Sequence, residues 1–118
     1  MTNCFLDRAK IIPGSKAEFD LYLQDEAGRA KSLSPYASGK LVFLNCDGVR
    51  TEITLPVPGA NPDNGKIPVT ITAIQSANAD DKWVNADLEL VEPSSEVTVV
   101  PLANKFEIVE RFAPPVVP

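Results

Sequence analysis

Histidine is absent from this 118-residue chain. Its absence removes Ser-His-Asp and Cys-His nucleophile systems and any histidine-ligated zinc site. Cysteine is scarce, with only Cys4 and Cys46. They read as two reduced thiols or as one bridge, because pairing cannot be deduced from spacing. Basic charge is also scarce: eleven Lys and Arg stand against sixteen Asp and Glu, a net charge of −5. No basic stripe exists to release counterions from phosphates. Aromatic residues make up 7% of the chain, too few for a base-stacking platform. No nucleic-acid partner is expected. No apolar run approaches the ~20 residues needed to span a bilayer, so no membrane partner is expected either. The opening "MTNCFLDRAKIIPGSK" lacks the basic-then-apolar order of a secretory signal. The expectation is a soluble chain made in the cytosol.

Catalytic signatures are missing as well. No P-loop, dinucleotide fingerprint or EF-hand spacing occurs. Glycoside hydrolysis needs two acids flanking a cleft, whereas Asp87 and Glu89 fall on the outward set of a strand. The expectation is a protein that is not an enzyme and carries no cofactor.

What is present is strand patterning. A length of 118 residues suits one domain able to bury its own core. The eleven prolines are scattered, which suits a loop-rich β protein. In residues 17–23, Phe19, Leu21 and Leu23 alternate with Glu18, Asp20 and Tyr22, the period of a half-buried strand. "DEAG" then supplies a turn with Gly28 at its end, residues 29–33 form a short return, and Ser34 to Gly39 read as a connection. "KLVFLN" is nearly continuous apolar sequence, expected as a central strand buried on both faces. Asp47-Gly48 after it predicts a type I′ hairpin turn.

Residues 49–57 alternate again with Ile53, Leu55 and Val57 inward, and Pro56 and Pro58 place their end at a sheet edge. Residues 66–72 resume with Ile67, Val69 and Ile71 inward and Pro68 outward, a second edge. Thr72 and Gln75 fit a capping box opening a short helix near residues 73–80. Trp83 leads into a strand over residues 84–91, with Val84, Ala86, Leu88 and Leu90 inward. Residues 96–102 and 105–109 form a last strand or pair of strands. Seven or eight strands with turns every 8–12 residues predict an all-β antiparallel sandwich, with a closed barrel as the alternative. The expected organisation is an N-terminal arm over residues 1–16, a sandwich over 17–110 and a Pro-rich tail over 111–118.

Several side chains are candidates for binding. Asp63 and Asn64 in one loop and Asp80 and Asp81 in another could share a Ca²⁺ if the loops met; the same residue types also simply form turns. Trp83 with Tyr22 could make a ligand platform, or Trp83 could cover the core's open end. Tyr22 on an outward position hints at an interface. "IIPGSK" and "RFAPPVVP" offer Ile11, Ile12, Pro13, Phe112, Pro114, Pro115, Val116 and Val117 either as frayed ends or as arms laid on a neighbouring subunit.

The run "LQDEAG", then "LSPY", then "KLVFLNCDG" resembles the start of the Ig-like N-terminal module of bacteriophage upper baseplate proteins. Related small Ig-like proteins occur in phage tails, fibres and capsid decorations. The similarity continues through "GKIPVTIT", the short helix and "NKFEIVE", over roughly residues 17–110. It departs at Lys82-Trp83, where the family commonly carries a Gly. Cys4 and Cys46 do not bracket Trp83, so antibody hallmarks are absent. The resemblance implies an Ig-like sandwich in a virion: a capsid decoration (cement), head–tail or baseplate protein, made in the host cytoplasm. Its partners would be other virion proteins, bound through termini and strand edges, as a symmetric homo-oligomer. The alternative is a carbohydrate or cell-surface binding module, Ca²⁺-assisted or not.

Overall fold

A computed structural model describes residues 3–6, 10–102 and 106–109. Two antiparallel sheets face each other. The first has the order β1 (Asn3–Leu6), β3 (Ala17–Gln24), β6 (Lys66–Ile71). The second has the order β5 (Arg50–Leu55), β4 (Ser38–Leu44), β7 (Asp87–Val91), β8 (Val97–Pro101). A short parallel pair, β2 (Lys10–Ile11) with β9 (Glu107–Ile108), joins the two ends of the described chain. The chain starts in the first sheet, makes the β4–β5 hairpin in the second, returns for β6 and crosses back for β7 and β8. That is the Greek-key connectivity of an Ig-like sandwich, with β5 kept on the sheet of β4. The open two-sheet order rules out the closed barrel.

Period-two alternation builds the core, as expected. Leu21, Leu23, Ile53, Leu55, Ile67, Val69, Ile71, Leu88 and Leu90 are buried between the sheets. Phe43 stacks on Trp83 with centroids 4.2 Å apart at 13°, and Phe106 meets both Phe43 and Phe19 at 5.2 and 5.1 Å. Such aromatic contacts add to simple area burial.

Three tight hairpins share one geometry. Gly28 N donates to Asp25 O, Gly48 N to Asn45 O, and Ser95 N to Glu92 O. Gly28, Gly48 and Ser95 all have positive φ, while Asp47 does not. The 45–49 turn is therefore a four-residue turn closed by a left-handed residue, not the expected type I′, which would need positive φ at Asp47 too. Asp25 Oδ1 accepts from Ala27 N and Arg29 N, and Asn45 Oδ1 from Asp47 N and Val49 N. These side-chain bonds favour a turn over a continuing strand.

The capping box forms: Thr72 Oγ1 accepts from Gln75 N, and Gln75 Oε1 accepts from Thr72 N. It starts a single α-helical turn, α1 (Ala73–Ser76). A 3-10 turn, Asp81–Val84, follows and carries Trp83, so β7 begins at Asp87 rather than at residue 84. The expected N-terminal arm is also corrected. Cys4 pairs with Leu23 across β1 and β3, and Ile11 is wholly buried. The described part of residues 1–16 thus belongs to the sandwich, because its apolar side chains close the gap between the two sheets. β4 is central; its outer face buries Val42, as expected, but is open at its end, where Leu44 is 51% exposed. Phe112, Pro114, Pro115, Val116 and Val117 lie outside the described residues.

Candidate interaction surface

The β4–β5 hairpin and β7 present alternate residues outward, and these carry opposite charges in register. Lys40 Nζ lies 2.9 Å from Glu52 Oε1, Arg50 Nε lies 2.9 Å from the same oxygen, and Arg50 Nη2 lies 3.0 Å from Glu89 Oε2. Lys40 reaches Glu89 at 3.8 Å. Lys40, then Arg50, holds the Glu52 carboxyl below its ordinary range. Two cations and two anions cancel, so the middle of this face is closed on itself and neutral. Exposed pairs of this kind contribute little to stability.

Apolar side chains flank that network. Val97 and Val99, on β8, are 54% and 52% exposed. On the hairpin side a shallow depression of about 490 Å³ is lined by Val42, Leu44, Arg50, Lys82, Val84 and Asp87. A second shallow depression, about 370 Å³, lies on the first sheet's side between Pro56, Pro58, Pro68, Asp20 and Lys66.

The free edges of the two sheets differ in kind. Asn45 N donates to Val49 O, so in β5 the odd residues pair with β4, and Arg50, Glu52 and Thr54 turn their backbone groups outward. That edge is charged and stops at Pro56. Leu23 N donates to Gly65 O, which leaves Lys66, Pro68 and Thr70 outward on β6. Lysine and proline guard it. Both are recognised protections against unwanted strand pairing.

β8 carries such a guard only at its last residue, Pro101. Glu92 N donates to Glu96 O, and Leu102 N to Ala86 O. These bonds bracket the β7–β8 ladder and set its phase: Thr98 and Val100 face β7, while Val97, Val99 and Pro101 turn outward. Pro101 lacks an N–H, but Val97 and Val99 each offer one. β1 reaches this edge only at Leu102, through a bridge to Cys4. That bridge engages the outward C=O of Pro101, so among the described residues the unpaired stretch of the edge is Val97 and Val99.

The sequence-derived candidates do not meet at one place. Asp63 Oδ1 accepts from Ser32 Oγ, and Asn64 Oδ1 from Lys66 N. Asp80 Oδ2 accepts from Cys46 N and its Oδ1 from Lys82 N; Asp81 opens the 3-10 turn beside it. β6 runs from the first loop to the start of α1, and its six residues separate the two loops by about 20 Å. A shared Ca²⁺ is thereby overturned: the oxygens cap turns at opposite ends of the sandwich. Among the described residues no group of three or more Asp, Glu or Cys side chains could hold a metal ion.

The Trp83–Tyr22 platform is overturned too. Trp83 is wholly buried against Phe43, whereas Tyr22 is half-buried on the outer face of the first sheet. Ile12 is 39% exposed in the turn before β3, and Pro13 beside it is half-buried. Cys4 and Cys46 are both free thiols, one buried and one exposed.

No protein-family model matches the chain, and no curated protein matches it. Among solved structures, the crystal structure of the Lin-41 filamin domain aligns over 92% of this chain and 91% of that one. The sequence identity is 14% and the TM-score 0.45.

Val97, Val99 and Leu44 are among the exposed apolar residues that the sequence did not single out, with Val49 and Ile74. "EVTVVPL" reads as a strand without showing which of its valines face solvent. The available signal was Pro101, which fits the outward set of an edge strand and not a central one.

Proposed function

We propose that this protein is a non-enzymatic structural module of a bacteriophage particle that binds other virion proteins through an exposed strand edge. The observation that carries the binding half of this reading is the open stretch of β8 at Val97 and Val99. Its outward backbone groups and its half-exposed Val97 and Val99 lie in a molecule whose β5 and β6 edges carry charge and proline. The virion half is supported by the spacing of "LQDEAG", "LSPY" and "KLVFLNCDG". A small domain that needs neither metal nor disulfide fits such a role, since many copies on a lattice turn a modest edge contact into firm attachment. The same lattice would hold the module as a symmetric oligomer.

Mass spectrometry of particles purified from the phage encoding this chain tests the reading. The expected result is a fixed copy number per particle. Abundant protein in infected cells and none in particles would overturn it.

A further inference from the structure

We infer that the outer edge of β8 takes an extended segment of a partner protein as a fifth, antiparallel strand of the second sheet, and that this segment carries lysine or arginine at its C-terminal end. The inference rests on the proposed binding role and specifies its site and its partner's chemistry. Backbone pairing of an added strand supplies affinity, and alternate side chains supply specificity. Here the backbone half consists of the N–H and C=O groups of Val97 and Val99, the Pro101 C=O being engaged by the bridge to Cys4. The side-chain half is the row Val97, Val99 and Pro101 on the outer face, which calls for β-branched or other apolar residues at alternate positions of the guest.

The two ends of the edge set length and polarity. At the Pro101 end the bridge between Leu102 and Cys4 already occupies the next rung, so the guest must turn away there. Pairing is limited to the part of β8 before Pro101, through Val97 and Val99. At the other end lies the turn carrying Glu92 and Glu96. Among the described residues neither has a cationic partner, while the nearest inner acid, Glu89, is taken by Arg50 and Lys40. An antiparallel guest brings its C-terminal end to this turn. Basic residues there find uncompensated acids, and charge at such a rim steers association. A second copy of this chain is the poorer guest, because each copy brings a net charge of −5.

The test uses a synthetic peptide that alternates threonine and valine over five residues and ends in two lysines, titrated into the isotope-labelled full chain. Amide exchange at Val97 and Val99 should slow by about tenfold at saturation, as for newly paired backbone. Replacing the two lysines by glutamates should weaken binding by about fivefold or more at low salt. Val99→Pro removes an N–H that no described residue uses, and should keep the melting transition and abolish binding. Val97→Lys with Val99→Lys gives a second test that leaves the backbone intact, and binding should again be lost.

Protection at β5 or β6 instead of β8, or equal affinity for the lysine and glutamate peptides, overturns the inference. So does sedimentation showing a dimer whose Val97 and Val99 amides are protected without peptide, which would make a second copy the occupant. Failure here with the chain present in particles removes the edge assignment alone. Peptide binding by a chain absent from particles removes only the virion assignment.

Discussion

Cys46 and Asp80 hold two distant parts of the chain together at one end of the sandwich. The Cys46 backbone N–H donates to Asp80 Oδ2 at 2.7 Å, thirty-four residues away in sequence. Beside it Asn45 Nδ2 donates to Asn78 O, so the β4–β5 turn is fastened to the segment after α1 at two points. That segment carries Trp83 into the core.

The first prediction concerns acid. The Cys46 N–H, followed by the Lys82 N–H, holds the Asp80 carboxyl below its ordinary value, despite an opposing desolvation effect. A carboxyl depressed in the folded state binds its proton more readily when unfolded. Its contribution is present above the unfolded-state value of about 3.9 and is lost as pH falls through the folded-state value. Asp80→Asn should therefore lower stability at neutral pH and flatten the stability–pH curve below about pH 5. Urea denaturation across that range checks it; an unchanged curve would remove Asp80 from the account.

The second concerns the thiols. Burial pushes Cys4 up to about 12. Cys46 is exposed, and its thiol is raised by desolvation and by the neighbouring Asp80 carboxylate. The thiolate is the reactive form. A thiol-reactive dye at pH 8 should label one cysteine in the native chain, Cys46, and Cys4 only on unfolding. Labelling of neither before reduction would reveal a disulfide instead.

A third prediction follows from Trp83. Its indole is buried against Phe43, and its Nε1 has no hydrogen-bond partner among the described residues. Native emission should be blue-shifted, resistant to acrylamide and unmoved by a glycan panel or Ca²⁺. Trp83→Ala should cost about 3–5 kcal/mol. Trp83→Phe should cost less, because it keeps a stacked ring and removes an unpartnered donor. A red-shifted, readily quenched native spectrum would contradict the burial.

The fourth compares two left-handed positions. Ser95 adopts φ 72° where the matching turns use glycine. Ser95→Gly should stabilise the fold by about 0.5–1 kcal/mol, since relief of the Cβ clash outweighs the added chain entropy. Gly65 is the opposite case. A Cβ there would sit 2.6 Å from Leu23 O and 3.1 Å from Lys31 O. Gly65→Ala should destabilise by about 2 kcal/mol or more, combining steric overlap with positive φ. Thermal melts of both variants, expected to move in opposite directions, check the pair.

The inward residues of β3, β5 and β6 were legible in the sequence because a strand's side chains alternate whatever it pairs with. The capping box at Thr72 was legible for a similar reason: donor and acceptor lie three residues apart and need nothing distant. Turn positions were legible from Gly28 and Gly48, though not the turn type, which depends on whether Asp47 is left-handed. Trp83 was harder to place, since one aromatic residue between a short helix and a strand fits a lid as well as a core. Packing on Phe43, forty residues earlier, decides it.

Local pattern thus determined by itself that the chain forms antiparallel sheet of short strands, and which face of most strands is apolar, while a sandwich and a closed barrel both fitted it. Tertiary structure alone decided that residues 3–6 and 10–11 are strands of the sandwich, that Asp63 and Asp80 lie far apart, and that β8 ends its sheet with Val97 and Val99 uncovered. The physical reason is the range of the interactions. Alternation and capping are settled within a few residues. Which strand lies beside which, and so which backbone edge is left open, is settled by hydrogen bonds between segments remote in sequence.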